Sequence, residues 1–274
     1  MINGVISILG CGWLGLPLAE HLLTQGYQVK GSATSDEKVG LLKAKGIDAY
    51  MLLLNPEPDG NLASLLQADT LIINIPPRAR KQGNEFHPKQ ISSLVESIQK
   101  SQLKHVIYVS TTSVYPDLNR IVVEEDVVTP AQSAAPALLE AENLILSLAP
   151  NRVVTVLRLG GLLGYERIPG KYVAGRTVDT GDEPVNYIHR DDALRVLTAT
   201  VQQTPAGTFN VVAPNHPARE AIYRKNSADF GFQLPTLVAP IAPVPYKIVS
   251  ADKLSQTLNY SFQYPDPLQF YYQL

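Results

Sequence analysis

The sequence predicts an α/β protein built on a doubly wound parallel sheet, with a small C-terminal substrate lobe. Three observations carry that prediction. Short apolar runs alternate with helical patterns over the first 157 residues, a glycine-rich turn follows the first run directly, and Gly, Pro and Tyr become frequent after residue 160. The chain has 274 residues, 45% hydrophobic and 18% charged, which suits a globular protein and excludes a disordered or collagen-like one. That length holds one large α/β domain, or a domain plus a small lobe. Lys+Arg of 23 against Asp+Glu of 25 gives a net charge of -2, with no basic excess for nucleic acid. One cysteine excludes an internal disulfide framework and a Cys-built zinc site. No apolar run reaches the roughly 18 residues a membrane span requires. The start of the chain lacks a basic leader, so a cytoplasmic protein is the default expectation.

The elements follow in order. Val5–Leu9 is a short β-branched run, as expected of a parallel strand covered on both faces. Gly10, Gly12 and Gly15 form G-x-G-x-x-G, after which Leu14, Leu18, Ala19, Leu22 and Leu23 recur at helical spacing up to Gly26. Residues 27–33 form a second strand. A helix over 36–45 follows, with Ser35 as N-cap and Gly46 beyond its end. Strands are expected at 49–54, 71–75, 106–109 and 153–157, and helices at 87–101 and 134–148. The expected domains are 1–159 with 189–213 returning to it, and a lobe of 160–188 and 214–274 with a helix near 217–231.

Strand, glycine turn, helix and second strand together give the turn its meaning. Gly10 permits the tight turn, Gly12 lets the backbone approach a pyrophosphate, and Gly15 lets helix and strand pack closely. The helix's first amides, through Trp13 and Leu14, face the negative charge. The sequence thus predicts a Rossmann-type NAD(P) site here, against the plainer reading of a structural turn without a ligand. Cys11 within it is read as a small side chain in a crowded turn. The second strand ends without a carboxylate for a ribose hydroxyl, and Asp36 falls in the next helix. Ser32, Thr34, Ser35 and Lys38 are candidates for a 2′-phosphate, so NADP is favoured over NAD.

Ligands of such sheets lie outside the carboxyl ends of the strands. One exit there is Ile75, Pro76 and Pro77, followed by Arg78, Arg80 and Lys81, a stiff rim with basic residues for a phosphorylated ligand. Another is Ser110-Thr-Thr-Ser-Val-Tyr115, dense in hydroxyls, where Ser110, like Ile75, Pro76 and Pro77 at the first exit, is a candidate cofactor contact. No G-x-S-x-G elbow or P-loop motif is present, and the five histidines show no zinc spacing.

These segments resemble the extended short-chain dehydrogenase/reductases, close to the nucleoside-diphosphate-sugar epimerases and dehydratases. The resemblance runs over nearly the whole chain, through Gly10–Gly15, His105–Tyr115, Val153–Gly164, Val185–Asp192 and Thr208–Val212. It implies NAD(P) as cofactor and hydride transfer on a small polar or nucleotide-sugar substrate. Thr111, counted back from Tyr115, takes the place of the catalytic Ser/Thr. Family members often pair through the helices at 87–101 and 134–148, which implies a homodimer.

One departure stands out. The family's Tyr-x-x-x-Lys pair is absent, and its expected positions hold Ala134 and Leu138. The candidate substitutes are Tyr115, Tyr172 with Arg176 at i, i+4, and Tyr187 with His189. Arg78, Tyr172 and Asn186 are candidate substrate contacts, and Asp191 or Asp192 a candidate helix cap. Arg158, Arg167 and Lys171 are possible sources of charge in a cleft between lobe and sheet. Two functions stay open: an atypical NAD(P)-dependent oxidoreductase or epimerase, and a non-catalytic NAD(P)-binding redox-sensing or regulatory module.

Overall fold

The computed structural model describes residues 3–274. The strands in chain order are β1 (Val5–Leu9), β2 (Gln28–Ala33), β3 (Asp48–Leu54), β4 (Pro58–Gly60), β5 (Thr70–Ile73), β6 (His105–Thr111), β7 (Arg120–Val122), β8 (Val153–Leu159), β9 (Gly161–Leu163), β10 (Thr177–Val178), β11 (Tyr187–His189), β12 (Gly207–Val211), β13 (Thr236–Leu237) and β14 (Lys247–Val249). The helices are α1 (Gly15–Thr24), α2 (Asp36–Ala44), α3 (Leu62–Leu65), α4 (Ala79–Gln82), α5 (Phe86–Gln99), α6 (Pro136–Leu146), α7 (Pro169–Val173), α8 (Arg190–Gln203), α9 (Arg219–Phe230) and α10 (Asp252–Leu258).

An eight-stranded sheet runs in the order β12-β8-β6-β5-β1-β2-β3-β4. The pairs β2–β1, β1–β5 and β5–β6 are parallel, whereas β4 runs antiparallel to β3. Strand order therefore reverses between β1 and β5, the switch point outside which such sheets bind ligands. The doubly wound parallel sheet is as the sequence predicts.

The chain divides into two compact units. The first runs up to Ser110 and adds Val128–Leu157 and Leu197–Phe209. The second holds Thr111–Val127, Arg158–Val196 and Asn210–Leu274, so it takes in 111–127, 158–159, 189–196 and 210–213, which the sequence predicts for the first.

In the first unit, Leu71 and Ile73 of β5 and Val106 and Tyr108 of β6 pack under Ile91, Leu94 and Ile98 of α5 and Ala141 and Ile145 of α6. These apolar side chains sit three or four residues apart on each helix, so each turns one stripe onto the sheet. His105 of β6 is buried. Its Nε2 donates to Thr155 Oγ1, whose own hydrogen goes to the Pro205 carbonyl, and Nδ1 has no partner among the described residues. Burial pushes this imidazole down to about 4, and His87 is lowered for the same reason. Below pH 6.5 the unfolded chain protonates first, so this contribution is complete above pH 6.5 and is lost as pH falls toward 4. The urea midpoint is expected to fall over that window, and His105→Gln to remove roughly one proton from the slope. A slope unchanged in the variant would refute the assignment.

In the second unit, β9 pairs with β11, β7 with β14 and β10 with β13. Asp192, fully buried in the first turn of α8, accepts from Tyr260 Oη and from the Gln263 and Tyr264 amides. It clamps the C-terminal segment and does not cap the helix, which begins at Arg190. His189 Nε2 donates to the Tyr271 carbonyl, and Nδ1 accepts the Asp191 amide, which holds the turn ahead of α8.

Among the described residues no helix is long and apolar enough to cross a membrane, and no cluster of three or more His, Cys, Asp or Glu could hold a metal ion.

Candidate dinucleotide site and its surroundings

The first unit builds the glycine loop at the switch point. Leu9 of β1 lies opposite Ile73 of β5, which sets Gly10 beside Asn74. Gly10 has φ +98°, and a Cβ there would lie 2.4 Å from the Asn74 carbonyl oxygen. A Cβ on Gly15 would lie 2.3 Å from the Gly10 oxygen. Gly12 differs, because a Cβ there meets nothing within 4 Å. Those are the three glycine roles expected of the motif: the turn, the close packing, and open space above backbone.

Helix α1 begins without a side-chain cap, and the Leu14 and Gly15 amides find no acceptor among the described residues. Unpaired amides at a helix start, beside open space over Gly12, fit a pyrophosphate. Trp13 is partly exposed in the same loop. Cys11 packs its sulfur against Gly31, and burial pushes the thiol up to about 12, which makes it inert.

Ser32 corrects the sequence reading. Its hydroxyl is buried and accepts the Gly10 amide at 2.9 Å, so it shapes the loop and does not point toward a 2′-phosphate. Thr34 is exposed, and Ser35 caps α2 through the Lys38 amide at 3.5 Å. These two and Lys38 remain for a 2′-group. Asn74 was missed. It is a polar residue closing an apolar strand just before Ile75, Pro76 and Pro77, and that position was the available signal. Its Nδ2 donates to the Gly10 carbonyl at 3.0 Å. Arg78 is exposed with φ +53°, at the start of α4.

Ser110 also needs correction. It is nearly sealed, and its hydroxyl donates to the Glu142 carboxylate, which is fully buried on α6. That hydrogen is not offered to a cofactor. Ala134 lies before the start of α6 at Pro136, so the family's proton-transfer pair has neither its side chains nor its first helical position here.

The second unit holds the remaining candidates. Thr111 closes β6, is partly exposed, and accepts the Ser113 amide at 3.2 Å. Tyr115 is overturned as a proton donor. It is fully buried, donates to Asn210 Oδ1 at 2.7 Å and accepts from Arg158 at 2.8 Å. Burial pushes its phenol up to about 12, against the pull of Arg158. Arg158 is itself buried and also donates to the Glu124 and Val127 carbonyls, so it is a core strut and not a source of charge for a ligand. Asn186 is overturned as a substrate contact, because both ends of its amide are used by β14. Nδ2 donates to the Lys247 carbonyl at 2.9 Å and Oδ1 accepts the Val249 amide at 2.8 Å. Tyr172 and Arg176 do not share a helix face, because α7 ends at Val173. Tyr172 is exposed. Burial pushes the Tyr187 phenol up to about 12, which does not suit a proton donor near neutral pH.

No protein-family model matches the chain. Protein YeeZ of Escherichia coli (strain K12) is 35% identical over 267 residues, covering 96% of this chain and 97% of that protein. Among solved structures, a UDP-glucose-4-epimerase from Stenotrophomonas maltophila with bound NAD and formylated UDP-arabinopyranose superposes with a TM-score of 0.78 at 15% identity, covering 98% of this chain and 96% of that one. A short-chain dehydrogenase/reductase superfamily protein from Agrobacterium tumefaciens with bound NAD gives 0.73 at 16% identity, over 96% and 94% of the two chains. The structural likenesses show the extended short-chain dehydrogenase/reductase fold, and the sequence identity along nearly the full length of both proteins shows that this chain belongs to the YeeZ family.

Proposed function

We propose that the chain binds NAD or NADP on the Gly10–Gly15 loop and works as an oxidoreductase or epimerase of the nucleotide-sugar type. One observation carries this reading: the Leu14 and Gly15 amides are unpaired beside the open space over Gly12. The NAD and UDP-sugar named with the structural neighbours agree with it. A bound nicotinamide would supply hydride transfer. Leu14 and Gly15 would hold its diphosphate, and Thr34, Ser35 and Lys38 would meet the ribose 2′-position. Thr111 Oγ1 accepts the Ser113 amide and shares a hydrogen bond with Ser113 Oγ at 3.1 Å; with Ser113 as the donor of that bond, the Thr111 hydrogen would polarise a reacting oxygen. A homodimer belongs to the same reading and is read by light scattering.

A second reading, a binding module without turnover, is favoured by Ala134 and Leu138 at the proton-transfer positions and by the sealed Tyr115. Calorimetric titration with NAD+ and NADP+ tests binding, with Trp13 fluorescence as a parallel signal. Reduction of the bound coenzyme by a panel of UDP-sugars, free sugars and alcohols then tests turnover. For the enzyme, Thr111→Ala is expected to slow hydride transfer by about 100-fold. Tight binding without hydride exchange selects the module, and no binding of either coenzyme overturns both readings.

A further inference from the structure

We propose that Asn74 and Ser32 are positioning residues that hold the glycine loop in its ligand-accepting shape before any coenzyme arrives. The inference rests on the dinucleotide reading of that loop and goes beyond its glycine motif, since neither residue belongs to the motif. Both polar groups of Gly10 are taken by side chains from strands flanking β1. Ser32 of β2 accepts its amide at 2.9 Å from one side. Asn74, after β5, donates to its carbonyl at 3.0 Å from the other. Asn74 is fixed in turn, because its own amide donates to the Leu9 carbonyl at 2.9 Å. The two prolines at 76 and 77 restrict the backbone that follows.

The Gly10 carbonyl also accepts the Gly12 amide at 2.9 Å, and the Ser32 carbonyl accepts the Cys11 amide at 3.0 Å. A Cβ on Gly15 would come within 3.1 Å of Asn74 Nδ2, so the first residue of α1 rests against the same amide. A different path for Gly10 would cost both of these side-chain hydrogen bonds. The loop is thus closed by its own protein, and a ligand does not have to order it. Preorganisation of this kind raises affinity without adding a contact to the ligand.

The test pairs NAD+ titration with amide hydrogen exchange of coenzyme-free protein. It compares the natural chain with Asn74→Ala, Ser32→Ala and Ser32→Thr. Asn74→Ala and Ser32→Ala are each expected to weaken NAD+ binding by about 10-fold. They are also expected to speed exchange at residues 10–12 while leaving the centres of β1, β2 and β5 protected. Ser32→Thr keeps the hydroxyl and is expected to recover binding. A merely structural role would instead speed exchange across all three strands. The proposal is overturned if Asn74→Ala binds NAD+ as the natural chain does. It also falls if the natural loop exchanges at free-peptide rates until NAD+ is added. A natural chain that binds neither NAD+ nor NADP+ overturns the dinucleotide reading, and the exchange comparison still decides whether the loop is preformed.

Discussion

Gly15→Ala is expected to destabilise the first unit by roughly 2 kcal/mol and to abolish coenzyme binding, whereas Gly12→Ala keeps stability within about 0.5 kcal/mol. The difference comes from what each added methyl meets. At Gly15 the Cβ would lie 2.3 Å from the Gly10 carbonyl oxygen, which is backbone and has no rotamer in which to retreat. Overpacking of this kind costs about 2 kcal/mol, and alanine's helix-interior advantage offsets little of it at the first residue of α1. At Gly12 the methyl projects into open space. The protein folds, but the methyl stands where a diphosphate would rest, and coenzyme affinity is expected to fall at least about 10-fold, roughly 1.4 kcal/mol. Urea unfolding and coenzyme titration on the two variants read both effects. A Gly12→Ala protein that binds NAD+ normally would remove the loop from consideration as the pyrophosphate site.

Arg158→Met is expected to cost the second unit about 3 kcal/mol or more. The guanidinium donates to Tyr115 Oη at 2.8 Å, to the Glu124 carbonyl at 3.2 Å and to the Val127 carbonyl at 2.9 Å, and it lies 5.1 Å over the Tyr115 ring. Methionine fills much of the volume but leaves buried carbonyls without donors. Arg158→Lys is expected to recover little, because one ammonium cannot reproduce a planar fork aimed at three acceptors. Chemical denaturation of the three proteins gives the result. Equal stability of arginine and methionine forms would show that these hydrogen bonds contribute nothing net.

The long elements were legible because their signals are local. The run Val5–Leu9 and the apolar spacing of α1 and α5 need no distant partner to be read. Strand β4 and helix α3 were not legible. Each is only three or four residues long, and β4 exists because Leu52–Leu54 pair with it. The glycine loop was readable residue by residue, since turn, approach and packing depend on the missing side chains themselves. Asn186 and Tyr115 were misread for a shared reason. A polar side chain near a strand end can face a ligand or a backbone far along the chain, and their partners, Lys247 and Asn210, stand 61 and 95 residues away. Nothing in the local pattern records which of the two occurs. Asp192 shows the same limit, since its acceptor atoms are filled from 68 to 72 residues further on.

The antiparallel strand at one margin of the large sheet has a consequence for self-association. Pro58 has no N–H to offer, Asp59 sets a charge along that border, and Gly60 turns at φ +120° against the Met51 carbonyl. A ladder left open there would template another chain, and a short margin built from an imino acid, a carboxylate and a bend gives an incoming strand almost no register to copy. That end of the sheet is closed to fibril-like growth by its own covalent chemistry.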